Sequence, residues 1–280
     1  MEYHSDRFND HSLIIFDDAS NIISVLPANI SGKVMTSHAG LTFGGMLLTH
    51  RSSINTTLQM FELIKSYLIK VGIEKLIYKP IPYIYHSIPA EEDRYFLYLN
   101  NAKLIARNVT STIYLQEEIL YKKGRKWSIK RAKRENLRVL ASEEYVKFWN
   151  LLSTTIETKY GVAPVHNIEE ILRLVTLFPD NIKLFVAQRG SEILAGALIF
   201  ENNGIVHTQY LANGEEGRKI GALDLVIDHM LTVEYKHKKY FDFGISNENS
   251  GLYLNSGLIS QKEGFGARSV AQDIYEVDIQ

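Results

Sequence analysis

The sequence predicts a mixed α/β (α+β) fold built from two similar domains, each a mixed, mostly antiparallel sheet flanked by helices. Three observations lead to this prediction. Short apolar runs typical of strands alternate with amphipathic helical stretches, the order of elements is similar in both halves, and a strongly basic segment separates the halves. Since domains commonly hold about 100–200 residues, a chain of 280 residues has room for two.

The first half is predicted to begin with short strands. Residues 13–16 and 22–26 are apolar runs around a polar turn at 17–21, a pattern typical of a hairpin. Apolar residues at helical spacing predict a helix over 53–71, and Gly72 follows at its expected end. The other elements are expected to be a strand at 33–37, a strand at 74–79, a helix at 90–101 and a strand at 103–115.

The second half is predicted to repeat this organisation around a longer antiparallel meander. Ser142 is a candidate N-cap, and Asn167 with Glu170 forms a capping-box pattern. The expected elements are a strand at 136–140, helices at 142–160 and 167–178, strands at 182–188, 192–201 and 204–212, a long helix at 216–237, a strand at 240–245, a helix at 251–262 and a strand at 268–279.

The charge of the chain is nearly balanced but unevenly distributed. Lys and Arg total 31 and Asp and Glu total 32, for a formal net charge of -1. Residues 121–135 hold eight basic residues against Glu135 alone, a net charge of +7, which leaves -8 on the remainder. The eight are Lys122, Lys123, Arg125, Lys126, Lys130, Arg131, Lys133 and Arg134. Such a segment either attracts an anionic partner or is a solvated helix face.

The basic segment also sets the predicted domain boundaries. It lies where the first series of elements ends and the second begins. We therefore expect an N-terminal domain at 1–118, a basic connecting helix at 119–135 and a C-terminal domain at 136–280.

Composition excludes several classes of function. The chain has no cysteine, which excludes disulfides, thiolate nucleophiles and cysteine metal sites and suits the cytoplasm. No apolar run reaches the ~18 residues that a membrane helix needs, and residues 1–7 are too polar for a secretory signal. No Gly-x-Ser-x-Gly motif, P-loop or dinucleotide fingerprint occurs. Any group transfer is therefore expected to proceed by direct attack, without a covalent enzyme intermediate.

One glycine-containing loop is a candidate phosphate site. After the third meander strand the chain holds Gly214, Gly217 and Gly221, with Arg218 and Lys219 between them. Glycines let a backbone approach a phosphate closely, and unpaired N–H groups at a helix start attract anions. The alternative is a glycine-containing turn that merely precedes a core helix.

This organisation resembles a known superfamily. The order strand, two helices, three-stranded meander, helix, strand, helix, strand is similar to that of a GCN5-related N-acetyltransferase (GNAT) domain. The segments at 78–93, 241–246, 261–266 and 3–8 resemble FemAB-like acyltransferases, which are two-domain bacterial relatives of that fold. The resemblance spans nearly the whole chain and implies tandem GNAT-like domains.

Relatives often have further residues ahead of the segment at 3–8. A first helix and strand of the N-terminal domain are therefore expected to be absent here. The missing strand would leave a sheet edge to be covered, and homo-oligomer formation would cover it.

The resemblance implies an N-acyltransferase that uses acetyl-CoA or another acyl-CoA as co-substrate, with no metal. The residues that correspond to the family's pyrophosphate loop are Leu211, Ala212, Gly217, Arg218, Lys219 and Gly221. Arg218 and Gly221 match the family pattern, whereas Leu223 stands where the pattern has Gly or Ala. Asn255 is expected to bond the pantetheine arm.

The reaction centre is expected between the third meander strand and the strand after the long helix, where such folds place the thioester. His207 is the local candidate for the general base, since an ordinary histidine has a pKa of about 6.5; a hydrogen-bonded sheet histidine is the alternative. Tyr253 is expected on the following helix as the proton donor, and Lys262 is expected to stabilise developing negative charge. Alternation predicts that His207, Gln209 and Leu211 share one face of their strand.

The acceptor is expected to be an amino-sugar, a nucleotide-sugar or another small amine of the cell envelope, bound in a cleft between the domains. Residues 79–93 combine prolines, aromatic side chains, a lysine, a histidine and carboxylates, which suits a sugar or amino-sugar. The candidate acceptor-binding residues are His38, Lys79, Tyr83, His86, Gln209, Tyr210 and Arg131.

Two other functions remain open on the sequence. The first is a FemAB-type transfer from aminoacyl-tRNA that extends a peptide bridge of peptidoglycan, and the basic segment favours it because phosphate neutralisation drives tRNA binding. The larger enzymes of that type carry a long helical arm at the domain junction, whereas the junction here is short. The second is a non-catalytic GNAT-like scaffold, which the imperfect phosphate loop favours.

Overall fold

The computed structural model of the protein describes residues 6–202 and 204–279, which form two compact units. The described ranges are 6–109, 247–254 and 270–279 for unit 1, and 110–246 without residue 203 and 255–269 for unit 2. The family-like segment at 3–8 lies partly outside the described residues, which begin at Asp6.

The two units are not consecutive along the chain. The sequence predicts a boundary at 118 and a connecting helix at 119–135, whereas the structure includes that helix in unit 2. The chain returns to unit 1 for a hairpin at 247–254 and again for residues after 270. The reason for the second return is strand pairing, because Tyr275 pairs with Tyr78 in the sheet of unit 1.

Strands and helices follow one another in the order that the sequence predicts, with local differences. The described strands are β1 (Leu13–Phe16), β2 (Ile22–Leu26), β3 (Asn29–Ser31), β4 (Val34–Thr36), β5 (Leu47–Leu48), β6 (Lys75–Tyr78), β7 (Lys103–Tyr114), β8 (Arg138–Ser142), β9 (Ile182–Arg189), β10 (Glu192–Glu201), β11 (Ile205–Asn213), β12 (Tyr240–Ile245), β13 (Asn247–Glu248), β14 (Tyr253–Leu254) and β15 (Arg268–Asp278). The described α-helices are α1 (Ile54–Lys70), α2 (Glu92–Leu99), α3 (Lys123–Ala132), α4 (Tyr145–Tyr160), α5 (Ile168–Leu177), α6 (Glu215–Ile220), α7 (Ala222–His229) and α8 (Ser256–Glu263).

Unit 1 has a sheet with strand order β3-β4-β6-β15-β7 and a small second sheet of order β1-β2-β5. The predicted helix of this half is confirmed as α1, which Ser53 caps by accepting a hydrogen bond from the Thr56 N–H at 3.2 Å. Its buried stripe packs Phe61 against Phe96 of α2, with stacked rings 4.1 Å apart. Burial of this stripe stabilises α1 far more than its intrinsic propensity does.

Unit 2 has the strand order β7-β12-β11-β10-β9-β8, with helices on both faces. The apolar core contains Ala195 and Ala197 of β10 together with Val226 of α7. On the opposite face, Phe148 of α4 lies against Gly196, where a Cβ would be 2.8 Å from the ring. The predicted capping box of α5 is confirmed, because the Asn167 side chain and the Glu170 side chain each accept from the other's backbone N–H.

The predicted long helix at 216–237 is wrong as a continuous helix. It is divided into α6 and α7 by Gly221, which has φ +85°, and a π-helical turn at Met230–Glu234 follows α7. The break has a packing cause. A Cβ at Gly221 would lie 2.4 Å from Ser128 Oγ of α3, so the close approach of α3 requires glycine at this position.

The predicted helix at 251–262 is also shorter than expected. Helix α8 begins at Ser256, after the β13–β14 hairpin. Asn255 is its N-cap, since Asn255 Oδ1 accepts from the Leu258 N–H at 3.0 Å. The prediction that Ser142 is the N-cap of the following helix is wrong. Ser142 is the last residue of β8, and Glu144 is the residue that precedes α4.

Candidate active site

The pairing of β11 with β12 ends in the middle of both strands. The pairing is parallel and stops at His207 with Asp242, although β11 continues to Asn213 and β12 to Ile245. Strands that stop pairing leave backbone polar groups for another partner. The predicted position of the reaction centre therefore coincides with an interruption in the sheet of unit 2.

Unit 1 contains a similar parallel pair, but its continuation is bridged by a side chain. The β4–β6 pairing ends at Thr36 with Ile77. The Ser37 N–H then donates to the Ile77 carbonyl at 2.8 Å, and Ser37 Oγ accepts from the Lys79 N–H at 2.8 Å. Ser37 is fully buried. Because its side chain links the two strand ends, the opening of unit 2 has no equivalent at this point in unit 1.

A bulge in β11 changes which residues share a face. The β10–β11 register shifts so that Thr208 pairs with Ile199 and Tyr210 with Leu198, which leaves Gln209 as the extra residue. The alternation that predicts His207, Gln209 and Leu211 on one face is therefore wrong beyond the bulge. Leu211 packs against the apolar core on the side of α7, and Tyr210 is brought to the face that carries His207.

His207 lies beside a buried carboxylate that sequence analysis missed. His207 Nδ1 is 2.8 Å from Asp242 Oδ2, and the Asp242 side chain is 0% exposed. The other oxygen, Asp242 Oδ1, accepts hydrogen bonds from Thr110 Oγ1 and, at 2.9 Å, from Thr112 Oγ1. Burial acts to raise the pKa of Asp242, but these three partners outweigh it, so the pKa lies below its ordinary value.

Lys262 is held at the same strand end. Its side chain projects from α8, the residue is 5% exposed, and Nζ donates to the carbonyls of Gly244 at 2.8 Å and Ile245 at 2.7 Å. Burial lowers the pKa of Lys262 to about 8, while the nearby carboxylate of Asp242 acts to raise it. An ammonium has three donors, and two are used by these carbonyls.

Gly244 brings His207 and Lys262 together. It has φ +74°, and a Cβ built on it would lie 3.2 Å from His207 Cε1. Its carbonyl is one of the two that accept from Lys262. The histidine and the ammonium therefore flank one peptide at the end of β12.

Tyr210 is bound by a histidine that no motif indicated. Its hydroxyl is 2.7 Å from His166 Nδ1 and accepts from the His166 N–H at 3.3 Å. Trp149 makes an edge contact with the Tyr210 ring at 5.1 Å. Burial raises the pKa of Tyr210, so the phenol is a hydrogen-bond donor rather than a base at neutral pH. His166 lies in the α4–α5 loop, where isolated polar residues are common and carry no recognisable spacing.

The candidate phosphate loop is only partly suited to an anion. Glu215 and Glu216 occupy the first turn of α6, where a phosphate would otherwise meet free N–H groups. Arg218 donates to the Asn213 carbonyl at 2.8 Å, and Lys219 pairs with Glu215 at 2.7 Å. Gly217 is buried. A Cβ at this position would lie 2.4 Å from the Leu194 carbonyl oxygen, so there is no room for a side chain. Of the other predicted loop residues, Ala212 is also buried.

Two predicted site residues lie on a different element from the one expected. Tyr253 is in β14 of the hairpin in unit 1 and is 53% exposed, whereas the sequence predicts it on the helix that carries Lys262. The cause is the start of α8 at Ser256, later than the apolar pattern indicates. Asn255, the predicted pantetheine contact, uses its side-chain oxygen to cap α8.

The basic segment is partly structural. Arg125 donates to both oxygens of the buried Asp224, at 2.7 and 2.8 Å, and Lys133 pairs with Asp228 at 2.9 Å. The predicted acceptor-binding residue Arg131 lies over the Trp127 ring at 4.7 Å. A second group of basic side chains lines an open cavity of about 340 Å³ between α3 and α7. The lining residues are Tyr121, Lys126, Ile129, Lys130, Lys133 and Asp228.

The predicted acceptor-binding residues of unit 1 divide into two groups. Lys79 donates to the carbonyls of His38 at 3.1 Å and Leu41 at 2.7 Å, and His38 is fully buried, so both stabilise a loop. Tyr83 is 50% exposed. His86 Nε2 is 3.0 Å from the Ile81 carbonyl oxygen, and its buried Nδ1 has no hydrogen-bond partner among the described residues.

Residues 6–202 and 204–279 contain no candidate metal site and no candidate membrane-spanning helix. No three His, Asp or Glu side chains there are grouped so that they could hold a metal ion. No helix in the same ranges has the length and apolar character needed to cross a bilayer.

Comparison with known proteins supports the predicted fold. No protein-family model and no curated protein matches the sequence. Among solved structures, FemX matches with a TM-score of 0.72 and 11% identity over 99% of this chain and 90% of FemX. L-PGS from Bacillus licheniformis matches with a TM-score of 0.66 and 13% identity over 96% of this chain and 84% of L-PGS.

A third similar structure is the C-terminal domain of a putative lysylphosphatidylglycerol synthetase from Agrobacterium fabrum. It matches with a TM-score of 0.62 and 10% identity, over 96% of this chain and 84% of that domain. Identities this low carry information on the fold alone. The chain shares its fold with these three structures, which is the mixed α/β fold that the sequence predicts.

Proposed function

We propose, from this fold and from the groups at the interrupted strand pair, that unit 2 transfers an acyl group from an activated ester or thioester to an amine. The observation that best supports this proposal is that His207 and Lys262 flank the Gly244 peptide where β11 and β12 stop pairing. One group is suited to take a proton and the other to stabilise an oxyanion. The scaffold alternative accounts for two of the three Lys262 donors, which bond strand-end carbonyls, but gives the third no role.

The reaction balances with the groups present. The lone pair of the acceptor nitrogen attacks the carbonyl carbon of the donor, a C–N bond forms, and the carbonyl oxygen becomes an oxyanion near the third N–H of Lys262. His207 takes the proton that the nitrogen loses. The oxyanion then collapses, the C–O or C–S bond breaks, and the leaving group departs with its electron pair and is protonated. Solvent supplies this last proton, since Tyr253, the donor expected from the sequence, lies on the β13–β14 hairpin of unit 1.

Aminoacyl-tRNA is the acyl donor that the geometry favours over acyl-CoA. Glu215 and Glu216 would face a pyrophosphate at the candidate loop, and Arg218 and Lys219 are already bonded within it. By contrast, Lys126 and Lys130 have no carboxylate within ion-pair distance among the described residues. Uncompensated cations on an open surface suit a polyanion such as tRNA.

Acyl-CoA is the second candidate donor. The glycine-containing loop at 214–221 supports it, since the backbone there includes glycines at the position where the resemblance places the pyrophosphate. Binding of acetyl-CoA that is weakened by Arg218→Ala would favour it.

The proposal is tested by a transfer assay with both donors. Purified protein is incubated with charged tRNA or acetyl-CoA and a panel of amines that includes amino-sugars and cell-envelope precursors. We expect transfer from charged tRNA, reduced at least about 10²-fold by Lys262→Met because an oxyanion-stabilising group is lost. Lys236→Met is the matched control, since Lys236 is an exposed lysine of the same unit. Salt-insensitive or absent tRNA binding would contradict the donor, and no transfer from either donor would contradict the function.

For the acceptor we propose an amino-sugar or a cell-envelope precursor that contacts Tyr83 and His86. The exposed Tyr83 ring suits the apolar face of a sugar, and His86 directly follows the short 3-10 turn that carries Tyr83. Tyr83→Ala and His86→Ala are expected to weaken binding of an amino-sugar nucleotide about tenfold, the loss of about one hydrogen bond or contact. Tyr98→Ala is the control, because Tyr98 is 77% exposed and lies on α2. Calorimetry that shows equal affinity for all variants would exclude this site.

A further inference from the structure

Asp242 determines the hydrogen-bonding role of His207 Nδ1. Both carboxylate oxygens are occupied, Oδ2 by His207 Nδ1 at 2.8 Å and Oδ1 by the hydroxyls of Thr110 and Thr112. The side chain is 0% exposed, so no solvent replaces these partners. A carboxylate that accepts this many hydrogen bonds remains ionised.

An ionised carboxylate can only accept hydrogen bonds. The proton of a neutral His207 imidazole must therefore be on Nδ1, which leaves the lone pair on Nε2. This nitrogen belongs to the ring edge that lies over Gly244, because a Cβ there would be 3.2 Å from Cε1 and 3.8 Å from Nε2. The imidazole is 21% exposed, in contrast to the carboxylate behind it.

We propose that Asp242 is a positioning residue that locks His207 in the Nδ1–H tautomer and thereby makes Nε2 the base for the acceptor nitrogen. This inference rests on the proposed acyl transfer. As the C–N bond forms, the proton of the attacking nitrogen moves to Nε2 and gives an imidazolium. Asp242 stabilises that cation without taking its proton, and the proton then leaves to solvent, since the imidazole is 21% exposed.

The purely structural alternative is a hydrogen-bonded pair that only joins β11 to β12. With Nδ1 facing an ionised carboxylate, such a pair would hold the same tautomer, so the tautomer tests the lock itself and can be measured without any substrate. Turnover separates the two roles, since only a positioning role lowers kcat in Asp242→Asn with little change in KM.

The first test is nuclear magnetic resonance of the histidine side chains in the full-length protein. His207 is assigned by the signals that disappear in His207→Gln. At alkaline pH, where imidazoles are neutral, we expect Nδ1 to be protonated and Nε2 to be unprotonated in the wild-type protein. Wild-type spectra with the proton on Nε2 would overturn the proposal, whether or not any variant folds.

The variant Asp242→Asn tests whether the carboxylate holds the His207 tautomer. Because an amide no longer demands a proton on Nδ1, we expect the Nε2–H form, which is common for free imidazole, to become populated. Thr112→Val removes one hydrogen bond to Asp242 but keeps the carboxylate, so its tautomer is expected to stay as in the wild type. Ser111→Ala is the neutral control, since Ser111 is a buried neighbour with no hydrogen bond to Asp242. An unchanged tautomer in Asp242→Asn would contradict the locking role.

Kinetics then distinguish failure of this inference from failure of the proposed function. With a working donor and acceptor, Asp242→Asn is expected to lower kcat about 10²–10⁴-fold, the range for losing a correctly placed general base, with little change in KM. His207→Gln should be no better, and the double variant no worse than either alone. Turnover that persists undiminished in Asp242→Asn would overturn the positioning role while leaving acyl transfer intact. If no donor is used, acyl transfer fails, and the tautomer measurement still reports on Asp242.

Discussion

At the scale of single residues, burial sets the chemistry of Lys262. Two backbone carbonyls hold its ammonium, and desolvation lowers its pKa from 10.5 to about 8. A lysine at the end of a helix is usually a solvated charge near the helix dipole. The sequence indicates its position through the resemblance at 261–266, but the two carbonyls that capture it come from β12 and are not visible in any local pattern. The same holds for Asp242, which lies in the resembling segment at 241–246 although nothing in that segment indicates His207 as its partner.

The lowered pKa of Lys262 predicts an alkaline limit to turnover. Its ammonium form is needed at the oxyanion, so kcat should fall as pH rises through about 8. A pH profile of kcat that stays flat to pH 10.5, the ordinary value for lysine, would contradict this role.

The free energy of unfolding should rise with pH over the interval in which kcat falls. Between about 8 and 10.5 the unfolded chain binds the Lys262 proton and the folded chain does not, so the free energy of unfolding rises with pH by up to about 3 kcal/mol. Below about pH 8 both states are protonated and this contribution is constant. Urea unfolding of wild type against Lys262→Met across this interval isolates it, since the variant lacks the titrating group.

At the scale of elements, local signals predict those helix ends that local groups determine. The Asn167–Glu170 box before α5 is correct because both of its side-chain hydrogen bonds lie within one turn. The division of α6 from α7 is different, since it depends on contact of Gly221 with Ser128 of another helix. The bulge at Gln209 depends on the neighbouring strand in the same way. Patterns read along one segment cannot contain these partners.

Gly221→Ala is expected to destabilise the junction of α6 and α7. Its φ of +85° disfavours any side chain, and the new Cβ would lie 2.4 Å from Ser128 Oγ and 2.8 Å from the Ser128 carbonyl oxygen. The two effects together should cost about 1–3 kcal/mol or more. Gly190→Ala is the matched control, because Gly190 also has positive φ, +59°, but nothing lies within 4 Å of its Cβ position. Equal losses in thermal unfolding would show that Ser128 imposes no close contact.

At the scale of the whole molecule, the two units share the chain in an interleaved way. The sequence predicts two similar domains and places residues 268–279 in the second one, whereas residues from 270 onward belong to unit 1. Pairing of β15 with β6 joins residues about two hundred positions apart, and nothing in an alternating strand identifies its partner. Strand existence is therefore predictable here, whereas sheet membership is not.

Residues 1–118 are accordingly expected not to fold as an isolated domain. They lack β15, which lies between β6 and β7 in the sheet of unit 1, so two inner strands would become exposed edges. Circular dichroism should show no cooperative thermal transition for this fragment, and fusion of residues 268–279 through a flexible linker should restore one. Residues 110–269, which include all of unit 2, serve as the comparison and should unfold cooperatively. A cooperative transition in the unfused fragment would contradict the structural role of β15.

The position of β15 also determines the order in which the two units can complete folding during translation. The ribosome synthesises α1, β6 and β7 early. Strand β15, which lies between β6 and β7 in the sheet, is synthesised only after the whole of unit 2 has been translated. Unit 1 therefore lacks one inner strand of its sheet until β15 has been synthesised, whereas unit 2 can complete its fold before that. During that interval the nascent chain exposes two apolar strand edges, which makes it a substrate for chaperones and a target for proteases until its closing strand leaves the exit tunnel.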